Sequence, residues 1–362
     1  MLYHLLYPLH ELISFFNIFR YITFRSAMAT LTAFLISLIF GPSIINKLKQ
    51  LKIKEQIRKE DSERLYELHA QKQNIPTMGG LLILLAILSS NLLWADIFNR
   101  YILICLFSTF WLGVTGFLDD YLKQIHKRSK GLTATAKLFS QINLGLILGI
   151  ILFLDPHNSM RLDFPFFKNL SLDLGIFYIL FVILVITGSS NAVNLTDGLD
   201  GLAIGIVIMV ALSLSVLSYV TGNVKFSQYL LIPYIPNTGE LTVFCASIVG
   251  AGLGFLWFNC FPASVFMGDV GSLALGGALG TVAVLIKKEL LLLIVGGIFV
   301  LEALSVILQV ASFRLRKKRI FKIAPLHHHF QFLGWTESKV IVRFWILASL
   351  LALLTIITLK IR

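Results

Sequence analysis

The sequence predicts an all-α, polytopic integral membrane protein of about ten transmembrane helices, with both termini outside and its polar motifs on the cytoplasmic face. Composition predicts the fold class, because 57% of the 362 residues are hydrophobic and only 14% are charged. A soluble domain has about 45–50% apolar and about 25% charged residues. The spacing of the apolar stretches predicts the number of helices, and the placement of Lys and Arg predicts their orientation.

Ten apolar stretches run through the chain, each close to the roughly 20 residues that a helix needs to cross the hydrocarbon core. In chain order they are centred near Leu35, Leu85, Cys105, Leu146, Phe181, Met209, Ser247, Gly277, Val300 and Leu350. Because they fill most of the chain, residues 1–362 are expected to form a single transmembrane domain. His4, His10 and Glu11 interrupt the apolar N-terminus, which is therefore not expected to be a cleavable signal.

The basic residues fall into alternate loops, each numbered by the span that it follows. Loop 1 (Lys47–Lys72), loop 3 (Lys123–Lys137) and loop 9 (Arg314–Arg343) carry eight, five and eight of the 31 Lys and Arg residues. The positive-inside rule therefore places the odd-numbered loops in the cytoplasm and both termini outside. Orientation and contact with anionic membrane lipids also explain the basic run Arg314–Arg319, so no nucleic-acid partner is expected.

Five polar motifs interrupt the apolar background, and all five lie in odd-numbered loops. They are Lys72 with Pro76-Thr-Met-Gly-Gly80, Asp119-Asp120-Tyr-Leu-Lys123, Asn191-Ala-Val-Asn194-Leu-Thr-Asp197-Gly-Leu-Asp200-Gly, Asn259 with Phe266-Met-Gly-Asp269-Val-Gly-Ser272, and Ala324-Pro-Leu-His327-His328-His329. Because loops of the same parity lie on the same side of the membrane, all five motifs are expected on one face.

The acidic residues of these motifs lie where a span meets water, and acids at membrane depth mark functional sites. Clustered carboxylate oxygens suit Mg²⁺, which commonly bridges one or two carboxylates to substrate phosphates. Lys72, Lys123 and Lys137 are then expected to act as point charges for phosphate oxygens. Taken singly, Asp197 or Asp269 would instead be explained as a helix N-cap. Together the motifs predict an enzyme that acts on phosphate groups.

Helix direction leads to the same expectation. With the N-terminus outside, the spans that start at Thr77–Gly80, Asp197–Asp200 and Gly268–Ser272 all begin on the cytoplasmic face. Helix N-termini present free N–H groups and a positive dipole end, both of which favour phosphate. Three helix N-termini are therefore expected to face one phosphate site.

These motifs resemble those of the phospho-N-acetylmuramoyl-pentapeptide-transferases, a branch of the polyprenyl-phosphate N-acetylhexosamine-1-phosphate transferase family. The resemblance extends from about Tyr21 to Arg362. It implies ten transmembrane helices with both termini outside, in a multi-pass enzyme of the bacterial cytoplasmic membrane with a cytoplasmic active site. It also implies that phospho-MurNAc-pentapeptide passes from UDP-MurNAc-pentapeptide to undecaprenyl phosphate, with Mg²⁺ as cofactor, giving lipid I and UMP in peptidoglycan synthesis.

The resemblance assigns roles to individual residues. The expected catalytic residues are Asp119, Asp120, Asp269 and His328, and Asp269 is the expected Mg²⁺ ligand. The expected substrate-binding residues, to which the charge argument adds Lys137, are Lys72, Lys123, Lys137, Asn194, Asp197, Asp200, Asn259, Phe266, His327 and His329. One departure is Ile75, which stands where the family often has Thr before the proline of its first motif.

Several alternatives stay open from the sequence. A sister transferase that uses UDP-GlcNAc would share the Asp-Asp and Gly-Asp motifs, although the histidine motif favours the muramoyl-pentapeptide branch. A secondary transporter, whose polar breaks lie near the bilayer midplane, is a different class. Direct attack by the lipid phosphate and a covalent intermediate on an aspartate both fit the motifs, and either Asp119 or Asp120 fits as the base. A homodimer is also compatible with the sequence.

Overall fold

The computed structural model describes residues 1–51, 72, 75–125, 131–156, 158–167 and 170–360. The α-helices, numbered in chain order, are α1 (Leu2–Leu6), α2 (Ile22–Gln50), α3 (Gly80–Trp94), α4 (Arg100–Ile125), α5 (Ala134–Leu154), α6 (Phe177–Thr196), α7 (Leu202–Thr221), α8 (Val224–Leu230), α9 (Leu241–Asn259), α10 (Gly268–Leu285), α11 (Glu289–Val295), α12 (Gly297–Arg316), α13 (Leu326–Phe332) and α14 (Glu337–Ile357). Short 3₁₀ helices cover Tyr7–Glu11, Ser14–Arg20 and Thr238–Glu240, and β1 (Arg161–Asp163) pairs antiparallel with β2 (Ser171–Asp173).

The predicted all-α membrane fold is confirmed. Within the described ranges, nine helical segments are long and apolar enough to cross a membrane: α2, α4, α5, α6, α7, α9 with its preceding 3₁₀ turn, α10, α12 and α14. The remaining expected span corresponds to α3, which is apolar but has only 15 residues. At a rise of about 1.5 Å per residue it is roughly 22 Å long. Each of the ten predicted stretches therefore coincides with a helix, and one of these helices is short.

The helix α10 forms the centre of the bundle. In its most apolar window 89% of the residues are buried, against 22% for α12 and 28% for α2 and α14. The exposed apolar side chains of these three helices face outward, as expected of helices that contact lipid. Because α10 packs against α3, α4, α6 and α7, Asp269 in its first turn is placed among several helices at once.

Backbone hydrogen bonds join the segment before α3 to the segment before α10. Phe266 N–H donates to the Pro76 carbonyl (2.8 Å), and Gly79 and Gly80 N–H donate to the carbonyls of Phe266 and Met267 (2.8 Å each). A Cβ added at Gly80 would lie 2.5 Å from the Cα of Gly271 on α10, so only glycine permits this approach. The starts of α3 and α10 therefore form one tightly packed unit.

A buried polar cluster lies at the opposite end of α10 from Asp269. The Lys287 ammonium lies 3.8 Å from the centre of the Tyr178 ring, and the Tyr178 hydroxyl donates to Glu289 Oε1 (2.5 Å). Burial lowers the pKa of Lys287 to about 8, against the opposing effect of nearby carboxylates. Burial likewise raises the pKa of Glu289 above its ordinary value.

Candidate active site

Three carboxylates meet where α4 ends and α10 begins. Asp119 and Asp120 lie in the last turns of α4, and Asp269 lies in the first turn of α10. One oxygen from each of the three lies within 4.8 Å of the others. Asp119 and Asp120 are almost fully buried. Because like charges at this distance repel each other strongly when they are removed from water, the trio requires nearby cations.

Two lysines provide positive charge to this acidic trio. Lys137 Nζ lies 2.6 Å from Asp269 Oδ2 and 2.8 Å from Asp119 Oδ2. Lys123 Nζ lies 3.1 Å from Asp269 Oδ2 and 3.6 Å from Asp120 Oδ1, and it also contacts Asp119 directly. Among the described residues the cluster thus pairs three carboxylates with two ammonium groups. It carries one net negative charge when all five groups are ionised, which leaves it suited to a further cation.

Hydrogen bonds fix the orientation of the Asp269 and Asp120 carboxylates. Asn194 Nδ2 lies 2.8 Å from both Asp269 Oδ1 and Ser272 Oγ. Asp120 Oδ2 accepts from Val270 N–H at 3.3 Å. The resemblance placed Asn194 in the nucleotide pocket, but in this structure its amide contacts the acidic trio. Its position indicates that it orients Asp269.

A second charged group lies beside the acidic trio and contains a residue that the sequence analysis missed. Lys72 Nζ lies 2.6 Å from Asp200 Oδ1 and 2.6 Å from Glu337 Oε1. It also lies 6.0 Å from the centre of the half-buried Phe266 ring. Lys72 is therefore matched by two carboxylates and lies next to an aromatic ring, outside the acidic trio. Glu337 is the first residue of the last span, at the end of the bundle that carries the five polar motifs. This position is the sequence feature from which its place in the site could have been predicted.

Asn259 and Asp200 hold the loop that carries Phe266. Asn259 Oδ1 accepts from Gly201 N–H (3.0 Å), and its Nδ2 donates to the Val265 carbonyl (2.8 Å). Asp200 Oδ2 accepts from the backbone N–H of Ala263 (2.9 Å). Both ends of the Asn259 amide are thus bound to backbone. These bonds fix the Phe266 loop against the turn between α6 and α7, where half-buried Asp197 also lies.

The three histidines occupy α13, and they point in different directions. Buried His327 places Nδ1 3.3 Å from Glu302 Oε2, and its Nε2 lies directly against Gly198 of the α6–α7 turn. His328 Nδ1 lies 2.8 Å from Gln331 Oε1. His329 Nδ1 accepts from the backbone N–H of Lys322 at 3.1 Å. The histidine motif therefore borders the Asp197–Asp200 turn.

Three helix N-termini were expected to offer free N–H groups to phosphate, and for four of these N–H groups the expectation is wrong. The N–H groups of Gly79 and Gly80 bind the carbonyls before α10, and that of Gly201 binds Asn259. The N–H of Val270 binds Asp120. These four N–H groups bind neighbouring backbone or side chains of the fold, so they are not available to phosphate.

Comparison with known proteins identifies the family of the chain. Residues 102–287 match the profile of glycosyl transferase family 4, and residues 72–84 match phospho-N-acetylmuramoyl-pentapeptide-transferase signature 1. Relatives that bear the name phospho-N-acetylmuramoyl-pentapeptide-transferase include proteins of Desulforapulum autotrophicum (54% identical) and Citrifermentans bemidjiense (55% identical). Another, from Koribacter versatilis, is 51% identical, and all three alignments cover 100% of both chains. The chain belongs to the phospho-N-acetylmuramoyl-pentapeptide-transferase family.

The two family matches cover different parts of the site. The transferase signature begins at Lys72 and includes the glycines that pack against α10. The broader glycosyl transferase match contains the acidic trio, both of its lysines and Phe266. Glu302, the histidine motif and Glu337 lie beyond both matched segments. In this phospho-N-acetylmuramoyl-pentapeptide-transferase family member, the C-terminal helices thus complete a site that the central helices begin.

Proposed function

We propose that this chain transfers phospho-MurNAc-pentapeptide from UDP-MurNAc-pentapeptide to undecaprenyl phosphate, forming lipid I and UMP in peptidoglycan synthesis. The observation that carries this proposal is the pairing of two neighbouring groups at one end of the bundle. One is an acid–lysine cluster suited to phosphates, and the other is the Lys72–Asp200–Phe266 group suited to a flat base. The full-length identity to relatives of that name supports the same reaction. Residues 1–362 would act as one catalytic domain in the bacterial cytoplasmic membrane.

We further propose that the acidic trio holds Mg²⁺, with Asp269 as a ligand. The donor set fits, because three carboxylates within 4.8 Å of one another provide the hard oxygen ligands that Mg²⁺ prefers. With all five groups ionised, the net negative charge of the trio and its two lysines also favours a cation. When bound, the ion would supply charge neutralisation at the diphosphate.

The lysines of the trio would bind phosphate oxygens. The ammonium groups of Lys123 and Lys137 each contact both Asp119 and Asp269. Both ammonium groups therefore lie close to the place where a phosphate bound at the trio would be. Positioning and charge neutralisation are the main sources of rate acceleration in phosphoryl transfer. Asp119 and Asp120 are the two candidates to take a proton from the attacking lipid phosphate. Isolation of a sugar phosphate bound to Asp119 would replace direct attack with the covalent alternative.

The second group would bind the nucleotide. The half-buried Phe266 ring offers a stacking surface for uracil. Lys72 would donate to a base oxygen, because its ammonium lies 6.0 Å from the centre of the Phe266 ring on which the base would stack. Asp197 and His328 border the same region, and His327 fixes α13 against the Gly198 turn. The sugar and pentapeptide are then expected to extend toward the histidine motif.

The orientation in the membrane completes the proposal. Both termini and residue Asn237 would lie outside, and the active site and Lys317 would lie in the cytoplasm. Single-cysteine labelling tests this with probes at these two exposed positions, in a variant without the native cysteines. A probe at Asn237 that reacts only from the cytoplasm would reverse the orientation. The homodimer stays a prediction, and light scattering of the purified protein measures it.

A transfer assay tests the reaction itself. Purified protein receives undecaprenyl phosphate, Mg²⁺ and either UDP-MurNAc-pentapeptide or UDP-GlcNAc, and both UMP and the lipid product are followed. We expect lipid I from the first donor only, and none after chelation. Product from UDP-GlcNAc alone would move the chain to the sister branch. Substrate uptake into proteoliposomes without a lipid product would support a secondary transporter instead.

A further inference from the structure

Glu337 joins the last transmembrane helix to the second charged group. It lies in the first turn of α14, and its side chain is 12% exposed. A single oxygen, Oε1, accepts from Lys72 Nζ at 2.6 Å and from the backbone N–H of Asp200 at 3.0 Å. One carboxylate oxygen therefore fixes both a long cationic side chain and the turn that starts α7.

The geometry leaves Lys72 little freedom. A lysine ammonium has three N–H donors. Among the residues that the structure describes, Asp200 and Glu337 each accept one at 2.6 Å, which leaves one donor, and the Phe266 ring centre lies 6.0 Å from the same nitrogen. Lysine loses considerable side-chain freedom when it is fixed, so two carboxylates that hold it before the substrate arrives remove that loss from the binding step.

The charge of the group indicates the type of substrate atom that it recognises. Two carboxylates and one ammonium carry a net negative charge, as the acidic trio with its two lysines does. Among the described residues, however, this group lacks the third carboxylate that suits the trio to a cation, so it disfavours phosphate and favours a neutral acceptor such as a carbonyl oxygen. We propose that Glu337 is a positioning residue that directs the free N–H of Lys72 toward a carbonyl of the donor's uncharged pyrimidine base. This inference rests on the proposed function and assigns to α14 a role in binding the nucleotide donor but not the lipid acceptor.

The variant Glu337→Gln tests this role. Glutamine keeps an oxygen that can accept from Asp200 N–H, but it removes the charge that holds the ammonium. Charge-assisted hydrogen bonds contribute more than neutral ones, so KM for the UDP donor is expected to rise on the order of tenfold. The kcat and the KM for undecaprenyl phosphate should stay within about twofold. Glu11→Gln, at an exposed position near the N-terminus, makes the same chemical change and should alter none of the three.

Two further measurements separate positioning from general support of the fold. In a Lys72→Met background, Glu337→Gln should cause no additional rise in the donor KM, because its target is gone. UMP binding, measured by calorimetry without turnover, should weaken by the same factor as the donor KM rises. Equal effects on both substrates, an effect on kcat alone, or an undiminished effect in the Lys72→Met background would each overturn the inference.

The same measurements separate this inference from the proposed reaction. A wild type that forms lipid I, together with a Glu337→Gln variant that binds UMP as tightly as the wild type, would overturn the inference alone. A wild type that binds UMP with the predicted dependence on Glu337, but forms no lipid product, would overturn the reaction and leave the positioning role supported. A wild type that binds no UMP would overturn both.

Discussion

Replacing Gly116 by alanine should disturb the active site without touching a charged residue. Gly116 lies on α4, one turn before Asp119 and Asp120, and its Cα packs against the start of α10. A Cβ added there would lie 2.6 Å from the backbone nitrogen of Val270 and still closer to the carbonyl group of Asp269. The obstructing atoms are backbone, so rotation of a side chain cannot relieve the clash.

The size of the effect follows from the distance that must be gained. Ordinary contact begins near 3.4 Å, so the start of α10 must move from α4 by about 1 Å, and a displacement of about 1 Å is enough to lower a catalytic rate about 10²-fold. The movement separates Asp269 from the two acids on α4, since the three lie on the two helices being forced apart. We therefore expect kcat to fall about 10²-fold.

A matched control lies one turn away on the same helix. A Cβ added at Gly113 would lie 2.6 Å from Cδ1 of Leu84, the far end of a flexible side chain. Gly113→Ala should keep kcat within about threefold, because Leu84 can change rotamer. Both variants are assayed for lipid I formation, with thermal unfolding and UMP binding to confirm that they fold. A folded Gly116→Ala protein with nearly wild-type kcat would refute the reasoning.

Three further predictions concern single side chains. Asp269→Asn should lower kcat by at least about 10²-fold and remove the response to added Mg²⁺, as a Mg²⁺ titration of the transfer rate will show; an unchanged response would contradict the metal assignment. Phe266→Ala should raise the donor KM about tenfold and Phe266→Trp should not, which steady-state kinetics measures. Lys287 has its pKa lowered by burial to about 8 from 10.5. Below pH 8 the folded state therefore bears the free-energy cost of burying a charged Lys287, and this cost decreases as the pH rises toward 10.5. Between pH 8 and pH 10.5 the free energy of unfolding of the wild type should rise, relative to that of Lys287→Met, by up to about 3 kcal/mol. A difference between the two proteins that does not change with pH would contradict this.

Much of the fold followed from the sequence because the bilayer constrains it so strongly. Apolar stretches of sufficient length must become helices, and loops of equal parity must lie at the same end of the bundle. The contacts of Lys137 with Asp269 and of Lys72 with Asp200 confirm that segments from different odd loops meet. The face of the membrane on which they meet stays a prediction, since the contacts are the same in either orientation.

Other features depend on packing that no local pattern specifies. Glu337 resembles an ordinary acid at a helix start, and only the position of Lys72 gives it a partner. Likewise, Gly79 and Gly80 looked like a phosphate-binding helix start, but their N–H groups bind the loop before α10. The choice between a ligand and a neighbouring backbone is made by how closely two helices approach, which depends on side chains far apart in the sequence.

The short length of α3 has a consequence for the depth of the site. Its roughly 22 Å and the roughly 27 Å of the 18-residue α10 both fall below the typical hydrocarbon thickness of about 30 Å. These two helices start side by side at the end that carries the acidic trio, so we expect the bilayer to thin around that end or the floor of the site to lie below the surrounding lipid headgroups. Under the proposed function, a polyprenyl phosphate would then bring its headgroup over the acidic trio while its whole tail stays in the bilayer, and the nucleotide donor would reach the trio from the aqueous side.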